Sequence, residues 1–331
     1  MFIIDSYFIA VIFCVITMIT WGSWANTQKL TDNNWRFELF YWDYVIGIVL
    51  FALFLAFTAG SLGTDGRPFL EDLGQANTAN IGSALLGGVL FNLANILLVA
   101  AITIAGMSVA FPVGIGLALV IGVIVNYLDI PVGNASMLFI GVALIVVAML
   151  LNATAYSKLS ASQNKVPSKG LILAVVAGIL MGFFYKYVAN SMFSDFTKPI
   201  DGKLSPYTAV VVFAFGILLS NFIFNTILMK KPFEGEAVKF QSYFKGSSKN
   251  HLMGIIGGAV WCVGMSFSIL ASDKAGPAIS YGLGQGATVV AALWGIFVWK
   301  EFKGAPKEVP KLLNIMLLIY IVGLALIVLA R

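Results

Sequence analysis

Charge is the first thing this sequence lacks. Of its 331 residues only 11% are Asp, Glu, Lys or Arg, while 60% are apolar. Soluble chains carry about 25% charged and about 45–50% apolar residues, so there is too little charge here to cover a water-facing surface. The mean hydropathy of +0.94 agrees. Histidine occurs once, as His251, which excludes any site built on paired histidines. The two cysteines, Cys14 and Cys262, lie inside apolar runs; they exclude a disulfide framework and suit packing as small hydrophobes. Disorder is excluded by the 26 Phe, 11 Tyr and 7 Trp.

What the sequence does have is long apolar runs. A bilayer-spanning helix needs about 20 mostly apolar residues. Stretches of that kind lie at 6–25, 40–60, 79–101, 107–128, 135–155, 170–192, 207–229, 252–272, 277–299 and 311–330. The expected fold is therefore an all-α polytopic membrane protein with ten transmembrane helices. The first stretch has no positive n-region and runs on to Lys29, as a membrane span rather than a cleaved leader does. Lysine and arginine are unevenly spread over the loops. Fourteen of the twenty fall in odd-numbered loops and five in even-numbered loops or at the termini, leaving Lys186 inside a span. The positive-inside rule then puts the odd loops in the cytoplasm and both termini outside it. The net charge of +5 is thus a topology signal. Nucleic-acid binding would want a basic groove interleaved with aromatics, which short scattered loops do not supply.

The chain also matches itself. Residues 85–128 align with 255–298 without a gap at an offset of 170, pairing Leu85-Leu-Gly-Gly88 with Ile255-Ile-Gly-Gly258, Gly106 with Gly276, Gly114 with Gly284 and Phe111 with Tyr281. Two five-helix units are expected, over 1–156 and 169–331, with a cytoplasmic linker at 157–168. Because five is odd, the second copy would enter the membrane from the opposite side, as in transporters that hold a solute near the midplane between inverted repeats.

Polar groups inside hydrocarbon mark pathways by default. In the first span, Trp21 and Trp24 share a helical face with Thr17 and Thr20; in the third, Asn92 and Asn95 share one with Gly88. The sixth presents Lys186 and Asn190 beside Gly182, the eighth Trp261, and the ninth Tyr281 and Gln285. Rings beside amides suit a small uncharged solute, because amides both donate and accept. The plainer reading makes Asn92, Asn95 and Gln285 glue between helices and Trp24 an interfacial belt residue. Lys186 has two readings, a snorkelling or structurally paired ammonium and a group that meets substrate. Asp43, in Tyr41-Trp-Asp-Tyr44, is the candidate for proton coupling; its plainer reading is a carboxylate at the cytoplasmic interface paired with Arg36. Gly282-Leu-Gly-Gln-Gly286 follows no strand and is a packing element, not a nucleotide loop.

Trp21-Gly-Ser-Trp24, Tyr41-Trp-Asp-Tyr44, Gly87-Gly-Val-Leu-Phe-Asn-Leu-Ala-Asn95, and Tyr281-Gly-Leu-Gly-Gln285 continuing to Leu293-Trp-Gly-Ile-Phe-Val-Trp-Lys-Glu-Phe302 together resemble one group of transporters. It is the drug/metabolite transporter superfamily, in its glucose/ribose-porter and ureide-permease-like branch. The resemblance implies uptake of a small neutral solute by proton symport through alternating access, in a bacterial inner membrane. It also implies a central pocket from spans 1, 3, 4, 6, 8 and 9, which would bring Phe111 to the site. On that resemblance an uncharged residue or proline would be expected where Lys186 stands.

The expected protein is thus a secondary active importer of a sugar or similar metabolite, working as a monomer or homodimer without cofactor or metal. The alternatives are an exporter of drugs or amino-acid-like metabolites and a ureide or nucleobase-type permease. An intramembrane enzyme would need a nucleophile with its base, and no such paired motif is visible.

Overall fold

The computed structural model describes residues 1–159 and 168–331. Among the described residues ten helical stretches, the ninth of them interrupted, are long and apolar enough to cross a membrane. In chain order the helices are α1 (Tyr7–Ser23), the short α2 (Asn26–Lys29), α3 (Phe37–Phe57), the surface helix α4 (Phe69–Gln75), α5 (Thr78–Ala105), α6 (Met107–Asp129), α7 (Ala135–Leu159), α8 (Ser168–Ser191), α9 (Pro206–Lys230), α10 (Ser248–Ala275), α11 (Pro277–Gly284), α12 (Ala287–Leu293) and α13 (Glu308–Leu329). The expected spans are all present, within a few residues at their ends. The linker expected over 157–168 overlaps the ends of two helices, α7 running to Leu159 and α8 beginning at Ser168. The rest of it lies outside the described residues.

Positions 170 apart do the same local work. Asn77 caps α5 by accepting from the Asn80 N–H at 2.8 Å, and Ser247 caps α10 by accepting from the Asn250 N–H at 3.3 Å. Both helices end at a glycine with positive φ, +80° at Gly106 and +82° at Gly276, where any side chain would be strained. A Cβ on Gly88 would strike the Phe213 carbonyl of α9; a Cβ on Gly258 would strike the Tyr44 carbonyl of α3. Gly47 meets Ile255 and Gly216 meets Leu85 in the same manner. Small residues let membrane helices approach to backbone contact, where dispersion and weak polar contacts replace the absent hydrophobic drive. Two tight seams result, α3 on α10 and α5 on α9. A third close pair, α7 on α13, joins through Gly141 and Gly323, each against the other's carbonyl.

The ninth span departs from expectation. It is not one helix: α11 stops at Gly284, Gln285 and Gly286 form a tight turn, and α12 leads into a π-helical turn over Trp294–Val298. Such interruptions free backbone groups and re-aim side chains, and transporters place them at substrate sites.

Candidate functional site

The broken span opens onto the principal interior space. A deep cavity of about 120 Å³ is lined by Trp21 of α1 and Trp24 just after it, Asn95 of α5, Phe111 of α6 and Trp261 of α10, with Gln285 and Thr288 at the break. It continues into a vestibule of about 310 Å³ that shares Trp21, Trp24, Asn95, Phe111 and Thr288 and reaches the surface at Lys29 and Glu301.

Its walls are fixed by packing and hydrogen bonds. Trp21 donates from Nε1 to the Trp261 carbonyl at 3.2 Å, and the two rings stack with centroids 5.8 Å apart. Phe91 packs against Trp261 at 4.3 Å, and Trp24 against Tyr44 at 4.6 Å. Trp21, Trp24, Phe91, Phe111 and Trp261 thus make much of the cavity's lining aromatic.

The amides divide by what they bond. Asn92 is fully buried and committed: it accepts from the Tyr41 hydroxyl at 2.9 Å and donates to Ser220 Oγ at 2.9 Å. Asn95 donates from Nδ2 to the Tyr41 oxygen at 3.1 Å; among the described residues no donor reaches its Oδ1. Gln285 lines the cavity, and its side-chain amide bonds no other described residue. Two amides therefore offer hydrogen-bonding capacity to the cavity, and a third holds helices together.

Several expected site residues lie elsewhere. Tyr281 is fully buried, with its hydroxyl donating to the Ala118 and Met181 carbonyls at 3.2 Å. Its ring sits 5.3 Å from that of Tyr185, whose hydroxyl bonds the Ser268 carbonyl at 3.0 Å. These tyrosines form part of a packed plug instead of a cavity wall, because α11 ends between Tyr281 and Gln285 and their common face is broken. Lys186 pairs with Asp129 at 3.3 Å near the end of α6, away from the cavity. Asn190 stands a turn further along α8, and its carbonyl accepts from Lys203 Nζ.

Asp43 also lies off the cavity, buried where α3 meets α10. It accepts from the Tyr243 hydroxyl at 2.5 Å, and its other oxygen lies 2.9 Å from His251 Nδ1. Burial and then the Asp43 carboxylate push the Tyr243 hydroxyl's pKa up, so Tyr243 remains a donor. The pairing with Arg36 does not form; Arg36 bonds Glu38 and the carbonyls of Glu234 and Glu236.

Sequence reasoning missed the vestibule's mouth. Glu301 takes the Lys29 ammonium at 3.0 Å and the Tyr156 hydroxyl at 2.7 Å, joining α2, α7 and the segment after α12. Burial raises the Glu301 pKa, but Tyr156 and Lys29 outweigh it and hold the carboxyl below its ordinary value. Lys29 also sits 4.7 Å over the Trp299 ring. The signal lay in the Trp-Lys-Glu-Phe302 motif, whose adjacent lysine and glutamate close the ninth apolar run.

A multi-pass bundle around an amide-bearing, solute-sized cavity has the architecture of a membrane transporter for small molecules. Comparison with known proteins gives the family. The ureide permease family model matches residues 40–169 and 161–330, and the chain belongs to that family. Ureide permease 4 of Arabidopsis thaliana is 23% identical, with 99% of this chain and 98% of that protein covered. Ureide permease 1 of the same plant is also 23% identical, over 99% and 98%. A probable ureide permease A3 of Vigna unguiculata is 33% identical over 44% of this chain and 40% of its own. One solved crystal structure covers 98% of this chain and 99% of its own with a TM-score of 0.61 at 14% identity, a likeness of fold alone.

Proposed function

We propose that this chain imports a small neutral ureide or related heterocyclic amide by proton symport, through alternating access between two inverted halves of five spans each. The observation that carries this reading is the pair of amides, Asn95 and Gln285, that face one aromatic cavity with hydrogen-bonding capacity unused. A ureide presents N–H and C=O groups along a flat edge, which such amides match in both senses, while its faces stack on Trp21 and Trp261. A cavity of about 120 Å³ has room for a solute that displaces about four waters. Family membership supports the ureide over the sugar expected from sequence.

Asn95, Gln285, Trp21, Trp24, Phe111 and Trp261 would contact substrate. Lys186, Asn190, Asn92 and Tyr281 would support the frame. In this conformation the vestibule opens toward the lysine-rich loops, which are cytoplasmic in this reading with both termini outside an inner membrane. The Tyr185–Tyr281 plug closes the far side. Asp43 would couple protons from the α3–α10 seam: gaining or losing a proton changes its hold on His251 and Tyr243, and with it the seam that Gly47 and Gly258 keep tight.

The test is transport in proteoliposomes, inward and outward, of labelled allantoin, uracil, glucose, ribose and the hydrophobic cation tetraphenylphosphonium, with a proton gradient imposed in each direction. Allantoin driven inward by the gradient supports the reading. Movement of sugars alone returns the substrate to that class, and expulsion of hydrophobic cations makes the protein an exporter.

A further inference from the structure

A second recess lies outside the transport pathway. Its volume is about 500 Å³, and it is walled by Ile296, Phe297, Leu313 and Leu317, with Lys300 and Lys303 at its rim. Phe297 is 67% exposed and Leu318, on the adjoining turn of α13, 64%, so this face looks into lipid.

The segment that forms the recess is also the vestibule's wall. Trp294, Gly295, Trp299 and Glu301 line the vestibule; Phe297, Lys300 and Lys303 line the recess. The two sides are sorted by an unusual backbone. A π-helical turn at Trp294–Val298 is followed by Lys300 at φ +52°, the only non-glycine with positive φ among the described residues. A left-handed lysine is costly and persists where surrounding contacts over-determine it. Here those contacts include Glu301 N–H to the Gly295 carbonyl at 2.9 Å and Lys303 N–H to the Lys300 carbonyl at 3.0 Å. The outcome is that neighbours of opposite charge, Lys300 and Glu301, serve opposite spaces. The acids nearby are already engaged: Glu301 with Lys29, and Glu308 with Lys158. Among the described residues, neither Lys300 nor Lys303 has an acidic partner.

We propose that this recess is a binding site for one phospholipid with a net-negative headgroup, its acyl chain along Phe297, Leu313 and Leu317 and its headgroup between Lys300 and Lys303. An apolar slot open to lipid takes a chain, and two uncompensated ammonium groups at its rim select an anionic headgroup over a zwitterionic one. The proposal rests on this surface alone and does not depend on the transported substrate.

Native mass spectrometry of the detergent-solubilised full chain, titrated with POPG or POPC, tests it. POPG is expected to bind ahead of POPC. The exposed double variant Lys300→Gln/Lys303→Gln should lose about thirtyfold in POPG affinity, the effect of two interfacial lysines, with thermal unfolding unchanged. Asn314→Trp, which fills the slot without altering charge, should lose POPG as well. Lys230→Gln/Lys231→Gln, on a different loop, should retain it. Equal POPG affinity in the Lys300/Lys303 variant and the wild type would overturn the site. So would POPC binding as tightly as POPG, retention by Asn314→Trp, or an equal loss in the Lys230/Lys231 control.

Discussion

The Tyr41 hydroxyl ties Asn95 to Asn92: it accepts from Asn95 Nδ2 at 3.1 Å and donates to Asn92 Oδ1 at 2.9 Å. One phenol from α3, itself held by an amide that never reaches the cavity, thereby orients the cavity's amide on α5. Tyr41→Phe keeps the ring and removes the hydroxyl. It should weaken ureide binding by about fivefold, because a freed Asn95 must be re-ordered on each binding event and one neutral hydrogen bond is worth about 1 kcal/mol. Asn95→Ala and Gln285→Ala should each cost at least as much in affinity with little change in melting temperature. Asn92→Ala should do the reverse and destabilise the fold by about 1–3 kcal/mol. Equilibrium binding and thermal unfolding on the same four variants separate these roles, and wild-type affinity in both Asn95→Ala and Gln285→Ala would leave the amides as helix glue.

The glycine seams make a second prediction. Gly88→Ala and Gly258→Ala each drive a methyl into a carbonyl of the facing helix, Phe213 or Tyr44. Overpacking of this kind costs about 1–3 kcal/mol, and a backbone atom has nowhere to retreat. Both variants should unfold at clearly lower temperature in detergent, whereas Gly82→Ala, which faces open space, should not. A neutral Gly258→Ala would mean that α3 and α10 stand further apart than described.

For Asp43, the expected phenotype is a split between two transport modes. Asp43→Asn should abolish accumulation against a gradient and leave substrate exchange running, since the cavity itself is untouched. His251→Gln should keep a hydrogen-bonding group near Asp43 and impair accumulation less. Full proton-driven accumulation by Asp43→Asn would remove the residue from coupling.

The vestibule latch has a defined pH signature. Glu301 is held below its ordinary value of 4.5, so its pairing contributes above that value and is lost as pH falls through the lower folded one. The melting-temperature gap between wild type and Glu301→Gln should stay level from about pH 7 to about pH 5 and narrow only below that. Both partners are partly exposed, so the gap should correspond to at most about 1 kcal/mol. Closure of the gap already near pH 6 would show a carboxyl that titrates far above the expected range.

The spans were legible in the sequence because twenty apolar residues in a row have few alternatives. So was the α5–α6 turn, since Gly106 and Gly276 fall at the same point of the self-match. Trp21, Asn95, Trp261 and Gln285 could be selected because helical spacing puts each on a polar or aromatic face. What spacing does not say is which way that face looks. Lys186 and Asn190 share a face with Gly182, yet Lys186 turns to Asp129. The partner of Asp43 was likewise hidden, since His251 is 208 residues away and reaches it only through the α3–α10 seam. Tyr281 was misplaced because the glycines at 282, 284 and 286 read as close packing within one helix, whereas α11 ends at Gly284.

The central claim is that a ureide-type solute occupies the cavity between Trp21, Asn95 and Gln285. Ala291 lines both that cavity and the vestibule, while the native Cys14 and Cys262 are fully buried. The direct measurement is the rate at which Ala291→Cys is modified by a small methanethiosulfonate reagent, with and without allantoin. Slowing by allantoin, lost when Gln285→Ala is added, is the predicted result. An unchanged rate at allantoin concentrations that saturate uptake would contradict the account.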